Sequence, residues 1–126
     1  MVIIDTHVLI WLLYDRNKLS ERAMRTMREA EVCVSIASLW ELSIKRSKGM
    51  IDLPHSIPQI ANRCLEMGIE ILGITPEHCQ GIQKLPFFHK DPFDRMIVAQ
   101  AIEEEMVLIT CDEKIRLGYP MVTWLW

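Results

Sequence analysis

No apolar stretch of this 126-residue chain approaches the roughly 20 residues needed to cross a bilayer. The opening Met1-Val2-Ile3-Ile4 has no basic stretch of the kind that starts a signal peptide, and Asp5 and His7 interrupt its apolar run. A cytoplasmic address with no membrane partner is therefore the expectation. No Cys-x-x-Cys pair is present either, since Cys33, Cys64, Cys79 and Cys111 are scattered. This argues against a zinc ribbon or a thioredoxin-type motif and leaves all four expected as reduced packing residues. Excess basic charge is also missing, for the net charge is −3. Proteins that hold nucleic acid by neutralising many phosphates are usually basic. If this chain handles nucleic acid, metal ions must supply much of the positive charge at its site. There is no internal repeat, low-complexity segment or linker, so residues 1–126 read as one domain. Half of the residues are apolar and a quarter charged, as expected of a globular chain able to bury a core.

What is present alternates between strand-like and helix-like segments. Val2-Ile3-Ile4 reads as a short buried strand, followed by an apolar helix from about His7 to Tyr14 that Asp5-Thr6 would cap. Asp15 to Lys18 breaks it, and Ser20 caps a helix to about Ala30. Val32 to Val34 is β-like, Ala37 to Lys48 is helical, and Gly49 is placed as a stop. Ile57, Ile60, Ala61, Cys64 and Leu65 share one helical face that ends at Gly68. Ile69 to Ile74 follows as a strand, then Thr75-Pro76 as a cap with proline in the first turn. Leu85 to Lys90 is a loop, and Asp91-Pro92 opens a helix to about Glu105. Val107 to Ile109 is another buried strand, and Met121 to Trp126 a last, shorter one. This order predicts an α/β fold with a parallel sheet covered by helices on both faces. Sites in such folds lie beyond the carboxyl ends of the strands, near a reversal of strand order.

Four acids stand apart by that criterion. Asp5 directly follows the first strand, and Asp112 follows Val107–Ile109 after Thr110 and Cys111. Glu41 lies on the helical stripe of Ala37, Trp40 and Ile44, and Asp94 begins the stripe of Ile97, Val98, Ala101 and Ile102. Each has a plain alternative: a helix cap for Asp5, an i,i+4 pair with Lys45 for Glu41, a dipole partner for Asp94, a turn residue for Asp112. As a set, two at strand ends and two on inward helix faces are hard to explain by solvation. Carboxylates gathered together repel one another and are costly to desolvate unless protonated or metal-bound. Oxygen ligands of this kind suit Mg²⁺ or Mn²⁺, and such clusters commonly serve phosphodiester hydrolysis.

Ile3-Ile4-Asp5-Thr6-His7-Val8-Leu9, Ser38-Leu39-Trp40-Glu41-Leu42, His89-Lys90-Asp91-Pro92-Phe93-Asp94-Arg95 and Leu108-Ile109-Thr110-Cys111-Asp112 occur in this order. The ordered set resembles the PIN-domain ribonucleases, most closely the toxin subunits of VapBC-type toxin–antitoxin pairs, along the full chain. The resemblance implies an α/β fold with a parallel sheet of about five strands flanked by helices, and an Mg²⁺- or Mn²⁺-dependent endoribonuclease with Asp5, Glu41, Asp94 and Asp112 as catalytic metal ligands. It further implies a homodimer and a cognate antitoxin that blocks the site. Thr6 and Thr110 resemble the family's hydroxyl residues and would orient carboxylates or waters; Asp91 is either a further such residue or a plain helix cap. Lys45 and Arg95 are candidate RNA contacts. Lys45 belongs to the densest basic stretch, with Arg46 and Lys48. His7 and His89 are given no role, because metal activation already supplies a nucleophile. Trp11, Trp40, Trp124 and Trp126 are expected in core or interface.

Other readings stay open beside this one. A haloacid-dehalogenase-type phosphotransferase needs a second Asp two residues after the first, where this chain has His7, and a signalling receiver needs paired acids where it has only Asp5. A non-catalytic interaction module would use the acids as caps alone. A PIN-like nuclease acting on DNA would usually bring basic or helical extensions.

Overall fold

The computed structural model describes residues 1–126. In chain order the elements are β1 (Val2–Ile4), α1 (Thr6–Tyr14), a 3₁₀ turn (Arg16–Lys18), α2 (Glu21–Glu29), β2 (Val32–Ser35), α3 (Ile36–Ser47) and α4 (Ile57–Glu66). They continue with β3 (Glu70–Leu72), α5 (Pro76–Gln83), α6 (Pro92–Glu103), β4 (Val107–Ile109), α7 (Glu113–Gly118) and β5 (Trp124–Leu125). The five strands form one sheet in the order β3-β2-β1-β4-β5, and every neighbouring pair is parallel.

Period-two alternation along these strands explains how so short a chain fills two layers. Val2 and Ile4 of β1, Val32 and Val34 of β2, and Ile109 of β4 face one core with Val8, Leu9, Leu12, Leu39, Leu42 and Ile60. Ile3, Cys33 and Leu108 face the other, packed with Ile97, Val98, Ala101, Ile115 and Tyr119. Helices α1 to α4 thus cover one face, and α5 to α7 the other. Strand β1 is buried throughout because it is central and covered on both sides.

The start signals in the sequence act as caps. Asp5, Ser20, Ser56, Thr75, Asp91 and Asp112 each accept a backbone N–H in the first turn of their helices. Three boundaries differ from expectation. Strand β3 is an edge strand and keeps only Glu70–Leu72 of the expected Ile69–Ile74. Strand β5, also at an edge, keeps only Trp124–Leu125. Helix α7 was not foreseen; its six residues are too few to declare a period.

The cysteines are free, but only Cys33 and Cys64 are buried; Cys79 is exposed, which corrects the expectation that all four pack. Trp11 and Trp126 pack together with ring centroids 5.9 Å apart, whereas Trp40 is 58% exposed and lies outside the core.

Candidate active site

Beside β1 the strand order reverses: β2 and β3 lie to one side, β4 and β5 to the other. That point is where an open parallel sheet leaves a crevice at its carboxyl edge. Ile4 and Ile109 are in register there, and the Asp5 N–H donates to the Ile109 carbonyl at 3.3 Å. The residues that follow, Asp5 after β1 and Thr110 to Asp112 after β4, are therefore brought side by side. Helices α3 and α6 supply the remaining walls.

Asp5 is 3% exposed; its Oδ1 accepts the Val8 N–H at 2.9 Å, and the buried Thr110 hydroxyl also donates to its carboxylate. Burial raises its pKa above the usual carboxylate range, the two hydrogen bonds and His7 oppose the rise, and Asp112 adds to it. Glu41 is equally buried. Thr6 Oγ1 lies 2.7 Å from Glu41 Oε1 and 2.9 Å from Ser38 Oγ. A hydroxyl has one proton and an ionised carboxylate can only accept, so Thr6 donates to Glu41 and Ser38 donates to Thr6. Lys45 Nζ stands 2.8 Å from the other oxygen, Glu41 Oε2. Burial of Glu41 comes from the Ala37, Ser38, Glu41, Leu42 face of α3, not the stripe through Trp40, which turns outward against Phe93 of α6.

Asp94 belongs to the first turn of α6, which Asp91 caps by accepting the Phe93 and Asp94 N–H groups. Its carboxyl is pushed up to about 8, by burial first and then by the charges of Asp91, Glu41, Asp5 and Asp112. Asp112 caps α7 through the Lys114 N–H at 2.8 Å and donates its own N–H to Thr110 Oγ1 at 3.0 Å. The cap and cluster readings of Asp5 and Asp112 hold together. Three helices, α1, α6 and α7, start at the crevice, and their positive ends offset part of the repulsion among the acids.

A side chain without an assigned role in the sequence stands at the centre. His89 Nε2 lies 2.9 Å from Asp94 Oδ2 and 3.5 Å from Asp112 Oδ2, and ligand atoms of these three residues fall within 4.8 Å of one another. Asp5 and Glu41 stand outside that tight trio, although their charges reach Asp94. Arg95, expected at the RNA backbone, is only 6% exposed and is committed elsewhere. Its guanidinium donates to the carbonyls of Pro86 at 2.7 Å and Ile82 at 3.3 Å, and to Tyr119 Oη at 3.2 Å. Ser38 and His89 open two of the segments that carry the resemblance, but what they and Tyr119 touch at this site comes only from tertiary contacts.

The donor set fits a hard divalent cation. Its acids offer oxygen ligands, and a cation among them would offset both the burial and the added repulsion that hold Asp94 high.

The PIN domain family model matches residues 2–117, most of the chain. The chain belongs to the PIN-domain family. A relative, Ribonuclease VapC22 of Mycobacterium tuberculosis, is 33% identical over 117 residues, covering 91% of this chain and 89% of the relative. Among solved structures, VapBC2 from Rickettsia felis, bound to a DNA fragment from its promoter, superposes with TM-score 0.74. That match has 15% identity and covers 99% of this chain and 98% of that one. DNA-bound VapBC from Salmonella typhimurium gives TM-score 0.72 at 16% identity, over 99% and 98%. At such identities the structural likeness is one of PIN fold.

Proposed function

We propose that this PIN domain is a metal-dependent endoribonuclease, the toxin of a toxin–antitoxin pair. The observation that carries the reading is the convergence of Asp5, Glu41, Asp94 and Asp112, from two strand ends and two helices, at one crevice. The naming of the M. tuberculosis relative as a ribonuclease supports it, and so does the occurrence of this fold in VapBC complexes.

The four carboxylates would hold Mg²⁺ or Mn²⁺. A divalent ion so held supplies the charge that polarises a phosphodiester and eases deprotonation of an attacking water. The chain's own groups prepare that site. Thr6 and Thr110 fix the carboxylates of Glu41 and Asp5, and Lys45 holds the second oxygen of Glu41 at 2.8 Å. A groove of about 350 Å³ leads away from Glu41, lined by Lys45, Lys48, Lys90 and Phe93 among others. We place the RNA backbone there, on the three lysines. A protein antitoxin and a second copy of the chain are the proposed partners. No helix is long and apolar enough to cross a membrane, and the cytoplasm is the proposed location.

The test is to incubate the purified protein with a mixed RNA pool and map the cuts. Cleavage is expected with Mg²⁺ or Mn²⁺ and none with EDTA. Full activity in chelator would sink the metal mechanism, and a preference for DNA would overturn the substrate.

A further inference from the structure

His89 lies in the connection between α5 and α6, residues 84–91, where its neighbours Phe87, Phe88 and Lys90 are exposed. Yet His89 itself is 8% exposed and turned inward. Its Nδ1 accepts the Asp91 N–H at 3.2 Å. A neutral imidazole with one nitrogen accepting carries its proton on the other, so Nε2 is a donor here. That nitrogen is fully buried and makes no aligned hydrogen bond, standing instead between the oxygens of Asp94 and Asp112.

The ring is held there by a buried frame. Tyr119, which is wholly buried, takes the His89 backbone N–H at 3.2 Å on its Oη, and the same hydroxyl lies 3.5 Å from the His89 carbonyl. Arg95 Nη1 donates to that Oη at 3.2 Å and to the Pro86 carbonyl at 2.7 Å. The phenol oxygen thus accepts twice and donates once, its full capacity. Gly118 completes the seat: a Cβ there would fall within 2.9 Å of Phe88 Cβ and overlap its ring, so only glycine lets the connection lie against α7.

We propose that His89 is a positioning residue whose buried Nε2–H, standing between Asp94 and Asp112, holds the two carboxylates at the spacing that receives a divalent cation, with Tyr119 and Arg95 as its frame. This rests on the metal-nuclease reading above. Direct ligation through Nε2 is the competing role. It needs a lone pair on that nitrogen, hence the proton on Nδ1, where the Asp91 N–H already points. Groups that hydrogen-bond to metal ligands change affinity by about 10- to 100-fold when removed.

Mn²⁺ and Mg²⁺ binding to the full chain, measured by calorimetry, tests the proposal. His89→Ala is expected to weaken both ions by a similar factor, about 10- to 100-fold. His89→Gln carries an amide N–H near the Nε2 position and is expected to recover most of the loss. His89→Asn carries it near Nδ1 and is not. Tyr119→Phe, which removes one oxygen and leaves the imidazole, should weaken binding by a smaller factor. Pulsed EPR of bound Mn²⁺ should show no directly coordinated nitrogen. Equal affinities in the Gln and Asn variants would overturn the proposal even if the Ala variant does not fold. So would direct nitrogen coupling, or loss of Mn²⁺ binding with Mg²⁺ binding intact. Absence of any divalent binding by the unaltered chain would remove the metal-nuclease reading and this one with it, whereas binding that ignores position 89 removes this one alone.

Discussion

With its carboxyl at about 8, Asp94 is largely protonated at neutral pH in the metal-free chain. Its ordinary value is 3.8, so the folded state binds a proton that the unfolded state releases. The stability this confers is whole below that ordinary value of 3.8 and is lost as pH rises to the folded value of about 8. Metal-free protein in chelator should therefore unfold more easily as pH rises through that window, as thermal denaturation would record. Asp94→Asn should flatten the dependence and raise the melting temperature at about pH 9, where the native carboxylate is charged and crowded. The same variant should remove RNA cleavage in saturating metal. A native-like pH profile in the variant would mean that some other group carries the burden. Legibility at this scale divides sharply. Asp5 and Asp112 are visible in the sequence as acids after apolar strands. Arg95 is visible as a cation beside an acid, but its burial against Tyr119 comes from contacts between distant segments.

The start of α6 shows how one element carries a structural and a site role on neighbouring residues. Asp91 caps the helix, while its backbone N–H, not its carboxylate, orients His89. Asp91→Ala should cost about 1 kcal/mol in chemical denaturation, an ordinary cap loss. It should leave divalent affinity within a few-fold, since the backbone N–H survives the change. Loss of metal binding in this variant would instead make Asp91 a ligand. Caps are local, within three residues of the groups they serve, and for that reason Ser20, Thr75 and Asp91 could be read as helix starts. The inward face of α3 could not be read as safely. Glu41 is buried by its neighbours Ala37, Ser38 and Leu42, and nothing local distinguishes that face from the one that carries Trp40 into solvent.

Across the whole molecule, positive charge is outweighed, with 14 Lys and Arg against 17 Asp and Glu. The chain carries a net −3, and the groove beside Glu41 offers three lysines. Single-stranded binding loses about 0.7 logarithmic units of affinity per decade of salt for each phosphate neutralised. Three contacts give a slope near −2, to be measured with a catalytically dead variant and a short RNA; a much steeper slope would require a wider basic surface, such as one completed by a second copy. The alternation of apolar strands with capped helices determined the parallel α/β architecture, because period and capping are properties of adjacent residues. It also placed two acids at strand ends, and by resemblance named the family. The order β3-β2-β1-β4-β5, with β1 at its middle, was decided only by folding, since pairing joins segments about 100 residues apart (Ile4 with Ile109). That pairing sets Asp5 beside Thr110, and the packing of Tyr119 and Arg95 brings His89 between Asp94 and Asp112. Such closeness depends on long-range packing, and no stretch of sequence contains it.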